Sequence, residues 1–131
     1  MNAERPSIVR TLDQQRAAHA WQQVSGTKKL WQKDKEKQDK LKSLARSAPA
    51  SIQSNGLGQT VAFWKAKNED HHAALYTALQ GWLKEQLKFS NSLLEWIATE
   101  ATSAQYRHAT AEALAYLNWY KRFAEAELEG E

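Results

Sequence analysis

A chain of 131 residues with 42% hydrophobic content has the size of one domain with a core of its own, and its 5 glycines and 2 prolines are too few for an all-β fold. The absence of cysteine excludes a disulfide framework and a thiolate metal centre. The formal charge of +3 singles out no partner, but residues 1–67 carry 13 Lys+Arg against 5 Asp+Glu, while residues 68–131 carry 5 against 10. A chain polarised in this way suits a polyanion on one side, or a basic surface meeting an acidic one, unless folding mixes the halves.

Residues 1–10 contain no apolar signal core, and they are expected to form a flexible N-terminus of a single domain spanning 1–131. No stretch reaches the length of a membrane span, so a soluble, cytoplasmic protein is expected. Ala, Leu, Gln, Glu and Lys dominate, and no segment alternates apolar and polar residues over six positions. The fold class read from this pattern is all-α, a single compact bundle of five to six helices.

Thr11-Leu12-Asp13-Gln14 opens the first helix with a capping box, in which the Thr oxygen takes an orphan amide and Gln reaches back. Ala17, Ala20, Trp21 and Val24 follow as one buried stripe, which Ser25-Gly26-Thr27 interrupts. Residues 25–40 read as a lysine-rich, partly ordered connection. A second helix begins near Asp34 or Gln38 and ends at Asn55, with Pro49 kinking or restarting it. Asn55-Gly56 is a stop signal, Gly56 being expected at positive φ, and Leu57 packs back across the turn. The third helix spans Leu57 to Lys67.

Asn68-Glu69-Asp70 caps a fourth helix to about Lys88, with the stripe His71, Leu75, Ala78, Leu79, Trp82 and Phe89. Ser92-Leu93-Leu94-Glu95 caps a short fifth helix through Ala101, and Thr102-Ser103-Ala104-Gln105 opens the last, to about Leu128. Tyr106, Ala109, Ala113, Leu117, Tyr120 and Ala124 form its main apolar face. A second, smaller face holds Ala111, Ala115, Trp119 and Ala126, which makes Trp119 a candidate interface residue.

Enzyme signals are weak: the chain has no glycine-rich phosphate loop and no nucleophile elbow. Glu69-Asp70-His71-His72 is the one dense set of metal-type ligands. Adjacent helical residues point about 100° apart, so His71 and His72 are poorly placed to share an ion, and no metal and no cofactor are assigned. His19 and His108 are expected at surface or edge positions. Lys28, Lys29, Lys33, Lys35, Lys37, Lys40, Lys42 and Arg46 form a basic cluster, with Lys33, Lys37 and Lys40 on one face if helical and Arg46 off it. Such a face neutralises phosphates without reading sequence. Arg16, Lys65, Lys121 and Arg122 are isolated cations beside aromatic or alanine-rich faces.

Three runs stand in order along the chain: Gln14-Gln15-Arg16-Ala17, then Asn55-Gly56-Leu57 continuing to Ala62-Phe63, then Tyr116-Leu117-Asn118-Trp119-Tyr120-Lys121-Arg122-Phe123-Ala124. Together, over roughly residues 12 to 126, they resemble the small-subunit family of the type III-B CRISPR effector, the Cmr complex. The stretch between Val24 and Leu41 departs from that pattern. The resemblance implies a non-catalytic subunit of an RNA-guided, RNA-targeting complex, with cleavage left to other subunits. Its copies would stack head to tail beside the repeated backbone subunits and help hold target RNA against the guide RNA. The RNA-binding candidates are then Arg16, Lys33, Lys37, Lys40, Arg46, Lys65, Lys121 and Arg122. The residues alone also fit a free-standing helical adaptor for an acidic protein or nucleic acid, or a metal-dependent hydrolase using Glu69, Asp70 and the histidines.

Overall fold

The computed structural model describes residues 9–131, and the expected flexible segment 1–10 falls mostly outside them. Six helices follow one another with no strand among the described residues: α1 Leu12–Leu30, α2 Lys35–Asn55, α3 Leu57–Lys67, α4 Asp70–Leu87, α5 Leu93–Thr99 and α6 Ser103–Glu127. The long α6 is the central element. It packs on α1, α2 and α4, while α3 bridges α2, α4 and α5. Leu41, Leu75, Leu79, Trp82, Leu117 and Tyr120 lie at the middle of the core.

Both threonine capping boxes form. The side chains of Thr11 and Thr102 accept from the amides of Gln14 and Gln105, each at 3.1 Å, and each Gln side chain accepts from its threonine's amide. At α5 the Ser92 hydroxyl accepts from the Glu95 amide. Two further orphan amides of α5 are met from α4, Leu93 N–H by the Gln80 side-chain Oε1 and Leu94 N–H by the Tyr76 hydroxyl. This short helix is therefore held by tertiary contacts rather than by its own length.

Three local expectations are corrected. Ser25-Gly26-Thr27 does not interrupt α1, which runs on to Leu30. One helical glycine costs only about 1 kcal/mol relative to alanine, and burial of Val24 and Trp31 on either side outweighs that. The connection expected over residues 25–40 shrinks to 31–34. There Trp31 N–H closes on the Thr27 carbonyl, and the Asp34 side chain caps α2 through the Lys37 amide. Second, Pro49 does not restart α2, which continues through it because Ala45, Ala48 and Ile52 are all buried around the missing amide. Third, Asn68 does not cap α4. It ends α3 in the left-handed conformation at φ 49°, and Glu69 occupies the cap position of α4 without a side-chain bond.

Gly56 forms the α2–α3 corner at φ 90° and ψ 155°, and its N–H donates to the Ile52 carbonyl at 2.8 Å. Leu57 is fully buried behind it. The α3 helix has no side-chain cap of its own. Tyr106 of α6 supplies one, its hydroxyl accepting from the Gly58 amide at 2.9 Å.

Candidate nucleic-acid interface

Four cations of the first half pair with acids of the second. Arg16 on α1 donates through Nε and Nη2 to both carboxylate oxygens of Glu112 on α6, at 2.5 and 2.9 Å, and through Nη1 to Asp13 at 3.1 Å. Its side chain is 17% exposed and that of Glu112 only 4%. Glu112 also accepts from the Trp82 indole at 2.8 Å. Burial pushes the Glu112 carboxyl up, but the hydrogen bonds from Arg16 and Trp82 outweigh it and hold the group below its ordinary value. Glu112 in turn raises the Arg16 guanidinium further. Arg16, a candidate for RNA contact, is thus committed to a buried ion pair.

Beyond this pair, Arg46 meets Glu125 at 3.4 Å and the Glu131 carbonyl at 2.7 Å. Lys28 meets Glu127 at 3.3 Å, Lys42 reaches the carbonyls of Leu128 and Gly130, and Lys37 meets Asp70 at 2.8 Å. Folding therefore mixes part of the charge of the two halves. Lys40 pairs with Glu36 one turn away at 3.7 Å. Lys33 lies in the turn before α2, off the helical face with Lys37 and Lys40 that the spacing implies. Lys29, Lys33 and Lys35 are exposed and make no ion pair among the described residues. They give the α1–α2 corner its uncompensated positive charge.

Lys65 lies over the Tyr76 ring at 5.0 Å and Lys67 over Phe63 at 5.9 Å. Lys121 is half-buried. Arg122 is 71% exposed, with only an i,i+3 contact to Glu125. It lines a surface cavity with Asn118 and Trp119. The Trp119 indole donates to Asp13 at 3.0 Å and stacks on Phe123, whose ring meets Trp21 edge-on at 5.2 Å. Trp21, expected on the buried stripe, is 45% exposed, because α6 covers only the Ala20–Val24 side of α1.

Two participants were not legible from residue type. Glu112 reads as a solvent-facing charge, yet it falls three residues after Ala109 and four before Tyr116, on the stripe that α6 buries. His19, expected at the surface or edge without a partner, bonds the Tyr116 hydroxyl at 2.8 Å and leans on Trp82. At the start of α4, His72 rather than His71 is buried. The divergence expected of the two histidines does not hold either. Their rings lie 4.2 Å apart, one ring nitrogen of each and a Glu69 carboxylate oxygen lie within 4.8 Å of one another, and the atoms nearest Glu69 are His71 Nε2 and His72 Nδ1. Opposite ring nitrogens with different reach offset the 100° rotation between neighbouring residues.

The family model described as CRISPR-associated protein (Cas_Cmr5) matches residues 12–127, from the first residue of α1 to the last of α6. The chain is similar to the CRISPR system Cmr subunit Cmr5 of Thermus thermophilus, at 33% identity over 90 residues, 67% of this chain and 75% of that relative. The fold is similar to the crystal structure of a CRISPR-associated Cmr5 family protein from the same organism. That match has a TM-score of 0.73 and 30% identity, and covers 92% of this chain and 100% of the other. No helix among the described residues is long and apolar enough to cross a membrane.

Proposed function

We propose that this chain, which belongs to the Cmr5 family of CRISPR-associated proteins, is a non-catalytic structural subunit of a type III-B complex that targets RNA under the direction of a guide RNA. The observation that carries the proposal is the family match across the whole bundle, residues 12–127. In the cytoplasm it joins the other subunits of the complex and neighbouring copies of itself. Base pairing reads the target sequence there, while the protein supplies surface and charge to the strand's backbone. The test is co-expression with the remaining subunits and a guide RNA. Recovery of this chain in the assembled complex supports the proposal. A chain that never joins the complex, but binds an acidic protein or nucleic acid alone, is the free-standing adaptor instead.

The intramolecular pairing of Arg16, Arg46, Lys28 and Lys37 withdraws these four cations from phosphate. RNA binding by the isolated chain should therefore be weak, with Kd roughly 10⁻⁴ to 10⁻⁶ M at physiological salt, and should fall steeply as salt rises. Reversal of the unpaired Lys33 and Lys35 to Glu should weaken binding equally for all sequences. The already paired Lys40 should matter less. Fluorescence anisotropy across a salt series reads both effects, and tight, salt-insensitive binding to one sequence would contradict a channel-lining role.

Trp119 is the proposed contact to a neighbour. A head-to-tail contact does not close on itself and so builds an open stack. Trp119→Ala removes the bond to Asp13 and the stack on Phe123 at the surface, so the chain should fold normally yet enter the complex less efficiently. Native far-ultraviolet dichroism with reduced incorporation supports the interface role. A closed dimer of the isolated chain that survives high salt would rule out stacking.

A further inference from the structure

The start of α4 carries a feature that the proposed role does not use. Glu69 lies at the cap, and its Oε1 is 3.6 Å from His71 Nε2 and 3.7 Å from His72 Nδ1. The side chain of His72 is 7% exposed, and its Nδ1 is buried with no hydrogen-bond partner. An unpaired buried nitrogen has lost its water and gained nothing in return. It faces a carboxylate oxygen and the second imidazole, the arrangement that a cation would complete.

From this convergence we infer that Glu69, His71 and His72 form a binding site for a divalent transition-metal ion of the zinc type, with a fourth position open to water or an incoming anion. Two imidazoles and one carboxylate suit zinc better than magnesium or calcium, which prefer all-oxygen sets. Donors around a tetrahedral zinc sit about 3.4 Å apart, given metal–ligand bonds of about 2.0–2.2 Å. The Glu69 separations already approach that value. Glu69 is 57% exposed and free to rotate inward.

Burial favours the neutral, ligand-ready form of both rings. Burial lowers His71, with His72 adding to it, and burial also lowers His72 against the pull of Glu69. The Phe63 and His72 rings form a T-shaped pair with centroids 6.2 Å apart. Against binding stand the positive end of the α4 dipole and the cations Lys40 and Lys67 nearby. Asp70, adjacent to His71, offsets part of that charge, although Lys37 already engages it. The site is thus a three-ligand, partly open one of moderate affinity.

The test uses the untagged full chain, stripped with a chelator and titrated with zinc chloride by calorimetry and with cobalt chloride by visible absorption. The expected result is one ion per chain, tetrahedral cobalt bands and a raised melting temperature. Changes that only reorient a ligand typically cost 10–100-fold in metal affinity, so Glu69→Gln or His71→Gln should weaken binding by at least about tenfold. Neither residue is in the core, so both variants should fold. His19→Gln and His108→Gln should leave binding unchanged. Absence of zinc binding, or binding that survives both Glu69→Gln and His71→Gln, overturns the inference.

Discussion

Glu112→Ala should destabilise the fold by about 3–5 kcal/mol, because it leaves a mostly buried guanidinium with one of its two carboxylates gone. The Trp82 indole, 2% exposed, loses its acceptor in the same step. In a domain of this size that loss should lower the thermal midpoint by about 10–20 °C. The paired replacement Arg16→Met with Glu112→Leu should recover most of the stability, since exchanging a whole buried ion pair for apolar groups is often neutral or better. Urea denaturation of the two single variants and the double variant closes the cycle. A cost near the ±0.5 kcal/mol of a surface substitution would mean that Glu112 is hydrated rather than buried.

The same pair sets the response to acid. Glu112 is held below its ordinary value in the folded state, so its contribution is complete above about 4.5 and is lost as pH falls through the lower, folded value. His19 is lowered by burial, partly offset by Glu85. A depressed histidine favours folding above its ordinary value of 6.5 and ceases to do so as pH falls below it. Stability should therefore decline in two windows. His19→Gln should shrink the upper one, which His71 and His72 share, and the Arg16→Met, Glu112→Leu double variant should shrink the lower one, which Asp70 shares.

What could be read in advance was what short segments decide alone. Thr11 with Gln14, Thr102 with Gln105 and Asn55-Gly56 each act within a turn, and each does so here. The apolar period of α6 placed Ala109, Ala113, Leu117, Tyr120 and Ala124 correctly because a helix so long must bury a continuous stripe. What could not be read depends on which helix lies opposite. Gly26 stays helical only because Val24 and Trp31 are buried around it, and Glu112 is buried only because Arg16 arrives from 96 residues away. The pairing within the basic cluster was hidden for the same reason. Asp34, Glu36 and Asp39 compensate only part of its charge in sequence, while Asp70, Glu125 and Glu127 come from other helices.

Gly56→Val should cost about 2–3 kcal/mol, more than the reading of a simple left-handed helix stop implies. At φ 90° and ψ 155°, Gly56 lies outside the small left-handed pocket that Asn or Asp can share, near a region open essentially to glycine alone. Strain there contributes about 1–3 kcal/mol. A second effect comes from Tyr106. A Cβ at position 56 would sit 3.4 Å from the Tyr106 hydroxyl, the group that caps Gly58 and tethers α3 to α6. Displacing that hydroxyl forfeits about 1 kcal/mol more. Gly26 gives the opposite sign within the same chain. It lies inside α1 with nothing within 4 Å of its would-be Cβ, so Gly26→Ala should stabilise by about 0.5–1 kcal/mol. Tyr106→Phe isolates the tether, because it removes the cap without touching the backbone at the corner. Thermal melts of the three variants separate the contributions. If Gly56→Val melts with the parent, residue 56 relaxes to negative φ, and the corner is held by the buried Leu57 and the Tyr106 tether rather than by glycine.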